Sequence, residues 1–187
     1  MKALHSGNFY LQLVNPGHPA ILIPSQKQLA PPHPEYPQIL MEIYAARALH
    51  ELLGAIGGFS SIALVSGFRS HDEQVEIWES CAREHGTAYR DQFVAIPGCS
   101  EHETGLAIDV AARTDDIDFI CPDFPDTGIF GEFRRLAPAY GFIERYPKGR
   151  EDLTKISCEP WHFRYVGTPH AQIITQNQLV LEEYAAL

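Results

Sequence analysis

Proline is concentrated at the start of this 187-residue chain, where seven of the 14 prolines fall within the first 37 residues. Proline fixes φ, lacks a backbone N–H and disfavours helix at the residue before it. We therefore expect residues 1–37 to form an extended arm that contains at most one short strand, at Phe9–Val14. Regular helices are confined to the rest of the chain.

The rest of the chain alternates between helical and strand patterns. Apolar residues recur at helical spacing from Tyr36 until Gly54 and the following Gly57-Gly58 pair end the run. A capping box at Ser70 and Glu73 opens a second helix, which closes at Gly86. Strands are predicted at Ser61–Ser66, Gly105–Ala111, Gly141–Tyr146 and Trp161–Val166, and further helices at Phe130–Tyr140 and over most of Pro169–Ala186. The pattern predicts a single α+β domain over residues 1–187, with a small antiparallel-rich sheet and flanking helices.

Charge and hydropathy exclude several classes of partner. The 14 Lys+Arg and 24 Asp+Glu give a formal charge of -10, which disfavours binding to nucleic acids and to anionic membrane surfaces. No stretch approaches the ~20 apolar residues of a membrane span, and residues 1–14 lack a continuous apolar signal-peptide core. We therefore expect a cytoplasmic protein. The scattered cysteines suggest reduced thiols, although one disulfide is left open; they are Cys81, Cys99, Cys121 and Cys158.

A histidine and an aspartate lie seven residues apart in the segment SEHETGLAID, residues 100–109. On a continuous strand His102 and Asp109 would be about 23 Å apart. Gly105 allows the chain to bend between them, so that the two side chains can converge. An imidazole nitrogen and a carboxylate oxygen are a plausible start to a zinc site. The alternative is that His102 is an ordinary hydrogen-bonded histidine and Asp109 holds a turn.

Two other segments supply the remaining chemistry. In EPWHFRY, residues 159–165, His162 is a candidate third ligand, and Glu159 would lie beside the metal as a general base. Three protein ligands leave one position open, which is typical of catalytic zinc. In SGFRS, residues 66–70, Arg69 is placed to meet an oxyanion or a substrate carboxylate. The alternatives are a surface carboxylate at Glu159 and a simple ion-pair partner at Arg69.

Four segments together resemble one enzyme family: SGFRS, SEHETGLAIDV, YGFIERYPKGRE and EPWHFRYVG occur in this order. They are similar to the zinc D-alanyl-D-alanine carboxypeptidases of VanY type, and most of all to the bifunctional VanXY type, a D,D-dipeptidase and D,D-carboxypeptidase of vancomycin resistance. The likeness extends from about Ser61 to the C-terminus. It implies a Hedgehog/D,D-peptidase-like zinc fold, one Zn²⁺ per chain and a small peptide substrate.

The resemblance also implies a role for individual residues. The positions that bind zinc in this family are here His102, Asp109 and His162. The catalytic base corresponds to Glu159, and the residue that stabilises the tetrahedral intermediate corresponds to Arg69. Positions that contact substrate correspond to Ser100, Gln74 and Tyr146.

Several alternatives remain open at this point. The substrate can be free D-Ala-D-Ala, the terminal D-Ala of a muramyl pentapeptide, or the L,D bond of a tetrapeptide. The fold can also serve as a non-catalytic zinc or peptidoglycan-binding module. Arg145, Lys148 and Arg150 either border the cleft or form a solvated loop. The sequence does not distinguish a role in vancomycin resistance from one in ordinary cell-wall metabolism, and it does not indicate an oligomeric state.

Overall fold

The computed structural model describes residues 8–187, so the first seven residues of the predicted arm lie outside the described residues. Seven α-helices are present in this part of the chain. They are α1 (Ile43–Ile56), α2 (His71–His85), α3 (Thr87–Phe93), α4 (Gly128–Leu136), α5 (Glu151–Thr154), α6 (His170–Gln176) and α7 (Leu181–Ala185). Among residues 8–187, none of these helices combines the length and apolar character needed to cross a bilayer.

Two antiparallel sheets accompany the helices. The strands are β1 (Leu29–Ala30), β2 (Met41–Glu42), β3 (Ile62–Ser66), β4 (Ala107–Ala112), β5 (Phe142–Tyr146) and β6 (Glu159–Tyr165). Strands β1 and β2 pair with each other, and the other four form one sheet in the order β3-β4-β6-β5. The α+β class and the antiparallel sheet are as predicted, whereas the sequence pattern did not indicate α3, α5 or the β1–β2 pair. The one-domain organisation over residues 1–187 stays a prediction.

The four-stranded sheet separates an apolar core from a polar face. In β4, Ile108 and Val110 belong to the core, together with Phe163 of β6 and Phe133 of α4. Side chains alternate along a strand, so Asp109 lies on the opposite face from its two neighbours. This alternation leaves one face of β4 and β6 free to build a site.

Helix α1 begins later than the apolar spacing predicted. Met41 and Glu42 pair with β1, and the Glu42 carboxylate then accepts hydrogen bonds from the backbone N–H groups of Tyr44 and Ala45. The N-cap therefore falls at Glu42, because its carboxylate satisfies N–H groups that have no partner within the helix. The predicted end is confirmed, since Gly57 adopts the left-handed conformation there.

The prediction of helix α2 is confirmed, and the helix begins at the predicted capping box. The Ser70 hydroxyl accepts a hydrogen bond from the backbone N–H of Glu73, and the Glu73 carboxylate accepts one from Ser70 N–H. Strand β3 ends at Ser66, four residues before this cap. The short connection between them carries Arg69.

The predicted strand at Phe9–Val14 is wrong. Phe9–Leu11 forms a 3-10 turn that begins at Asn8, whose side chain accepts a hydrogen bond from Tyr10 N–H. Side chains, rather than a neighbouring strand, make the contacts of this segment. Arg164 donates to the carbonyls of Tyr10 and Gln12, and the Gln12 amide binds both backbone groups of Leu22.

The later elements follow the predictions with two adjustments. The helix at Phe130–Tyr140 is α4 up to Leu136 and then a 3-10 turn that contains Pro138. The C-terminal helical stretch is divided into α6 and α7. All four cysteines are free thiols.

Candidate active site

Strand pairing brings two of the predicted zinc ligands together. Asp109 of β4 lies directly opposite His162 of β6, and Asp109 Oδ1 is 3.0 Å from His162 Nδ1. His102 reaches the same place from the 3-10 turn Glu101–Thr104. Gly105 ends that turn with φ +69°, and His102 Nε2 lies 3.1 Å from Asp109 Oδ2. The bend predicted at Gly105 therefore joins His102 to Asp109.

The three side chains have the donor set and spacing of a metal site. One ligand atom from each of His102, Asp109 and His162 lies within 4.8 Å of the others, and all three residues are buried. Two imidazole nitrogens and a carboxylate oxygen suit zinc. Within residues 8–187 the cluster has no fourth histidine, cysteine or carboxylate member. A cation held there would keep a position open, as catalytic zinc does.

The second nitrogen of each imidazole is also hydrogen-bonded. His102 Nδ1 lies 2.7 Å from the carbonyl oxygen of Gly67, and His162 Nε2 lies 3.3 Å from Oε2 of Glu101. An N–H at these positions leaves His102 Nε2 and His162 Nδ1 as the nitrogens that face the cluster. Such partners fix the ring orientation of metal-binding histidines.

Burial and mutual contact set the pKa values within the cluster. Burial would raise the pKa of Asp109, but the charges and hydrogen bonds of His102 and His162 lower it well below its usual range. Burial lowers the pKa of His102, and the nearby Arg69 charge lowers it further. Burial also disfavours a charged His162, yet hydrogen bonds to Asp109 and Glu101 raise its pKa to about 9. Asp109 is therefore ready to act as an anionic ligand.

Glu159, the predicted base, opens β6 at the edge of the cluster. It is 6% exposed, so the surface-carboxylate alternative is wrong. Its Oε2 lies 3.8 Å from His162 Nδ1. Burial raises the pKa of Glu159 to about 8. A carboxylate with a raised pKa beside a metal site can accept a proton and return it near neutral pH.

Arg69 contacts the cluster through Asp109. Its three guanidinium nitrogens donate to Ser66 Oγ at 2.8 Å, Gln74 Oε1 at 3.2 Å and Asp109 Oδ2 at 3.1 Å. Burial lowers the pKa of Arg69, while the charge of Asp109 opposes that shift. The side chain is 14% exposed and lines the cleft, so it is both an ion-pair partner and a candidate oxyanion donor.

A cleft that is partly open to solvent lies above the cluster. Ser100 and Tyr146, two of the predicted substrate contacts, line it. Gln74 does not, because its fully buried amide bridges Arg69 and the carbonyl of Ala95. The apolar walls consist of Ile77, Phe93, Val94, Ala95, Phe119, Ile120, Ile156 and Trp161. These walls can pack against small apolar groups of a substrate, and the polar side chains of the cleft can meet its charged groups.

The basic cluster predicted near Tyr146 does not border the cleft. Arg145 is fully buried, so it neither borders the cleft nor lies in a solvated loop, and both interpretations are wrong for this residue. Its Nε donates to Glu101 at 2.7 Å, and its two terminal nitrogens donate to Glu182. Arg150 pairs with Glu183. Neither Lys148 nor Arg150 lines the cleft.

Sequence reasoning missed Glu101 altogether. Its carboxylate is fully buried and is shared by Arg145, Arg164 and His162. Burial would raise its pKa, but the two arginines hold it far below the usual range. Its position directly before His102 was the available signal. Nothing in the local sequence showed that two arginines from β5 and β6 converge on it.

Comparison with known proteins identifies the family. The profile of VanY, D-alanyl-D-alanine carboxypeptidase, matches residues 38–168. The chain belongs to the VanY family. It is 44% identical, over 93% of its length and 92% of the relative's, to the bifunctional D-Ala-D-Ala dipeptidase and carboxypeptidase VanXYC of Enterococcus gallinarum.

Solved structures of VanY-family proteins share the whole fold. The D,D-dipeptidase VanXYg, in complex with a D-Ala-D-Ala phosphinate analogue, superposes with TM-score 0.91 at 45% identity, covering 95% of this chain and 70% of that one. A VanY D,D-pentapeptidase variant in complex with Zn(II) gives TM-score 0.72 at 31% identity, covering 94% and 98%. The zinc of that relative agrees with the donor set found here.

Proposed function

We propose that this VanY-family chain is a zinc peptidase that removes the C-terminal D-Ala of peptidoglycan precursor peptides and also cleaves the dipeptide D-Ala-D-Ala. The observation that carries the proposal is one cleft in which Glu159 and Arg69 flank the cluster of His102, Asp109 and His162. The extensive likeness to VanXYC and VanXYg supports the bifunctional type.

The metal site would supply Lewis-acid chemistry, because zinc lowers the pKa of a water ligand to about 7 and polarises a carbonyl. His102, Asp109 and His162 would hold the ion, and the hydrogen bond to the Gly67 carbonyl keeps the His102 ring in place. One zinc per chain is expected, since these residues form a single cluster within the described residues.

Glu159 carries the protons in this scheme. Its carboxylate takes a proton from the attacking water as the water adds to the carbonyl of the penultimate residue. It then donates that proton to the amine of the departing D-Ala. One group can do both because its buried carboxylate lies in the cleft beside the cluster.

Arg69 stabilises the charge that develops on the carbonyl oxygen. Ser66, Gln74 and Asp109 hold the guanidinium before substrate arrives, so little reorganisation is needed when charge appears. Ser100 and Tyr146 are proposed to contact substrate from the cleft wall. Gln74 is proposed to act at substrate only through Arg69, because both ends of its amide are already bonded.

The alternatives remain as outcomes of one experiment. The zinc-loaded chain is given D-Ala-D-Ala, a muramyl pentapeptide ending in D-Ala-D-Ala, and a tetrapeptide ending in D-Ala, and D-Ala release is measured. Release from the first two supports the proposal, and Glu159→Gln serves as the inactive control. Release from the tetrapeptide alone would make the chain an L,D-carboxypeptidase. No release with zinc bound would make it a binding module.

The biological setting is a further proposal. The same D-Ala-releasing chemistry would serve vancomycin resistance or wall turnover. The cytoplasmic location and the absence of nucleic-acid partners stay predictions from the sequence.

A further inference from the structure

Glu101 lies at the centre of a buried network of charged side chains, next to the cluster of predicted metal ligands. Its side chain is fully buried in the turn that carries His102. Oε1 accepts hydrogen bonds from Arg145 Nε and Arg164 Nη1, each at 2.7 Å. Oε2 is left for His162 Nε2 at 3.3 Å. The proposed reaction makes no use of this carboxylate.

The network is balanced and completely hydrogen-bonded. Arg145 donates to both oxygens of Glu182 in α7, and Arg164 donates to the backbone carbonyls of Tyr10 and Gln12 in the N-terminal arm. Two carboxylates therefore face two guanidinium groups. A buried network of this kind adds little stability compared with an apolar core, because desolvation offsets the attraction. Stability alone does not account for a third contact, to His162.

That third contact selects the nitrogen that His162 presents. With the Nε2 proton directed at Glu101, Nδ1 is the nitrogen that faces Asp109 and Glu159, where an ion would lie. His102 is held differently, since its second nitrogen meets the neutral carbonyl of Gly67. Only His162 receives a charged partner. A carboxylate on the far nitrogen fixes the tautomer of a metal-binding histidine and raises its basicity.

We propose that Glu101 is a positioning residue that holds His162 with Nδ1 toward the metal, and that Arg145 and Arg164 hold Glu101 in place for that purpose. The inference rests on the zinc site of the proposed function. The outer partners of the two arginines come from the arm and the last helix, both of which lie outside the 38–168 match to the family.

The test compares two variants that each remove one carboxylate charge from the same network. Glu101→Gln loses the charged partner of His162, whereas Glu182→Gln leaves it intact, because the Glu182 carboxylate accepts hydrogen bonds from Arg145 and Asn15 and not from His162. Zinc affinity of the full chain is measured by chelator competition, and Tm is measured without metal. We expect both variants to lower Tm, and Glu101→Gln alone to weaken zinc binding by about 10–100-fold.

The possible failures are distinguishable. If the unmodified chain binds no zinc, the proposed function fails. If zinc binds but Glu101→Gln weakens it no more than Glu182→Gln does, the positioning role is wrong. Should Glu101→Gln not fold, Glu101→Asp decides, since it keeps the charge beside the arginines but is one methylene shorter. Weaker zinc binding by Glu101→Asp supports the role, and unchanged binding overturns it.

Discussion

Asp109 and His162 are directly paired residues of neighbouring antiparallel strands, with Asp109 Oδ1 and His162 Nδ1 3.0 Å apart. The sheet register itself therefore sets the distance between two of the three proposed zinc ligands. The third, His102, is brought in by a turn that is fixed at one end by Gly105. A site built on strands in this way is held rigidly, and its properties can be tested residue by residue.

Loss of a ligand is expected to remove stabilisation by zinc. A ligand that binds only the folded chain raises Tm by mass action, so zinc should raise the Tm of the unmodified chain. His162→Ala should abolish most of that increase, because one of the three donors is lost. Thermal unfolding with zinc and with chelator measures the difference. His18→Ala, at an exposed histidine, is the control. An equal zinc shift in His162→Ala would exclude His162 as a ligand.

Arg69→Ala is expected to lower kcat by about 10²–10³-fold, as removal of an oxyanion-hole donor does elsewhere. Steady-state release of D-Ala from D-Ala-D-Ala measures this effect. Arg47→Ala, at an exposed arginine paired with Glu51 on α1, should retain full activity. An unchanged kcat in Arg69→Ala would remove the guanidinium from the reaction.

Glu159→Gln tests how much folding stability is lost because the Glu159 carboxylate is buried. Burial raises its pKa from 4.5 in the unfolded chain to about 8 in the folded one. Between these values the folded chain holds a proton that the unfolded chain has released, so stability is lost as pH rises toward 8. Glutamine does not ionise, so the Glu159→Gln variant does not lose stability in this way as pH rises.

With metal chelated, Glu159→Gln should therefore match the unmodified chain in Tm near pH 5 and exceed it near pH 9. Thermal unfolding across this pH range provides the measurement. Glu51→Gln, at an exposed carboxylate, should show no such divergence. Parallel Tm curves for Glu159→Gln and the unmodified chain would mean that Glu159 is ionised in the fold at little cost.

Gly105→Ala should destabilise the chain by more than the backbone strain of a positive φ alone. A Cβ at Gly105 would meet Glu42 N and Leu29 Cδ2 at 3.1 Å, in addition to the strain of φ +69°. Gly149 has φ +81° with nothing within 4 Å, so Gly149→Ala isolates the strain, about 1–2 kcal/mol. Denaturant unfolding compares the two. Equal losses would show that the turn at Gly105 has room to relax.

The sequence was most informative where chemistry and local pattern coincide. The capping box at Ser70, the apolar strand β3 and the His102–Gly105–Asp109 bend were all predictable, because each depends on residues close together in the chain. The resemblance to the VanY family contributed the proposed roles of Glu159 and His162, for which spacing alone left alternatives open.

Contacts between residues that are distant in the chain could not be predicted from the sequence. The strand predicted at Phe9–Val14 is absent because Arg164, more than 150 residues later, binds the carbonyls of that segment. Arg145 has the appearance of a surface cation in the sequence, yet Glu101 and Glu182 converge on it in the interior. Such pairings depend on the tertiary fold and leave no periodic trace.

The most direct test of the account is a zinc titration of the metal-depleted full chain in which bound zinc and D-Ala release from D-Ala-D-Ala are followed together. We expect no activity without metal, a linear rise to one zinc per chain, and no further gain. Glu159→Gln should bind the same single zinc and stay inactive. Full activity in the metal-depleted chain, or full activity of Glu159→Gln, would contradict a zinc site served by this glutamate.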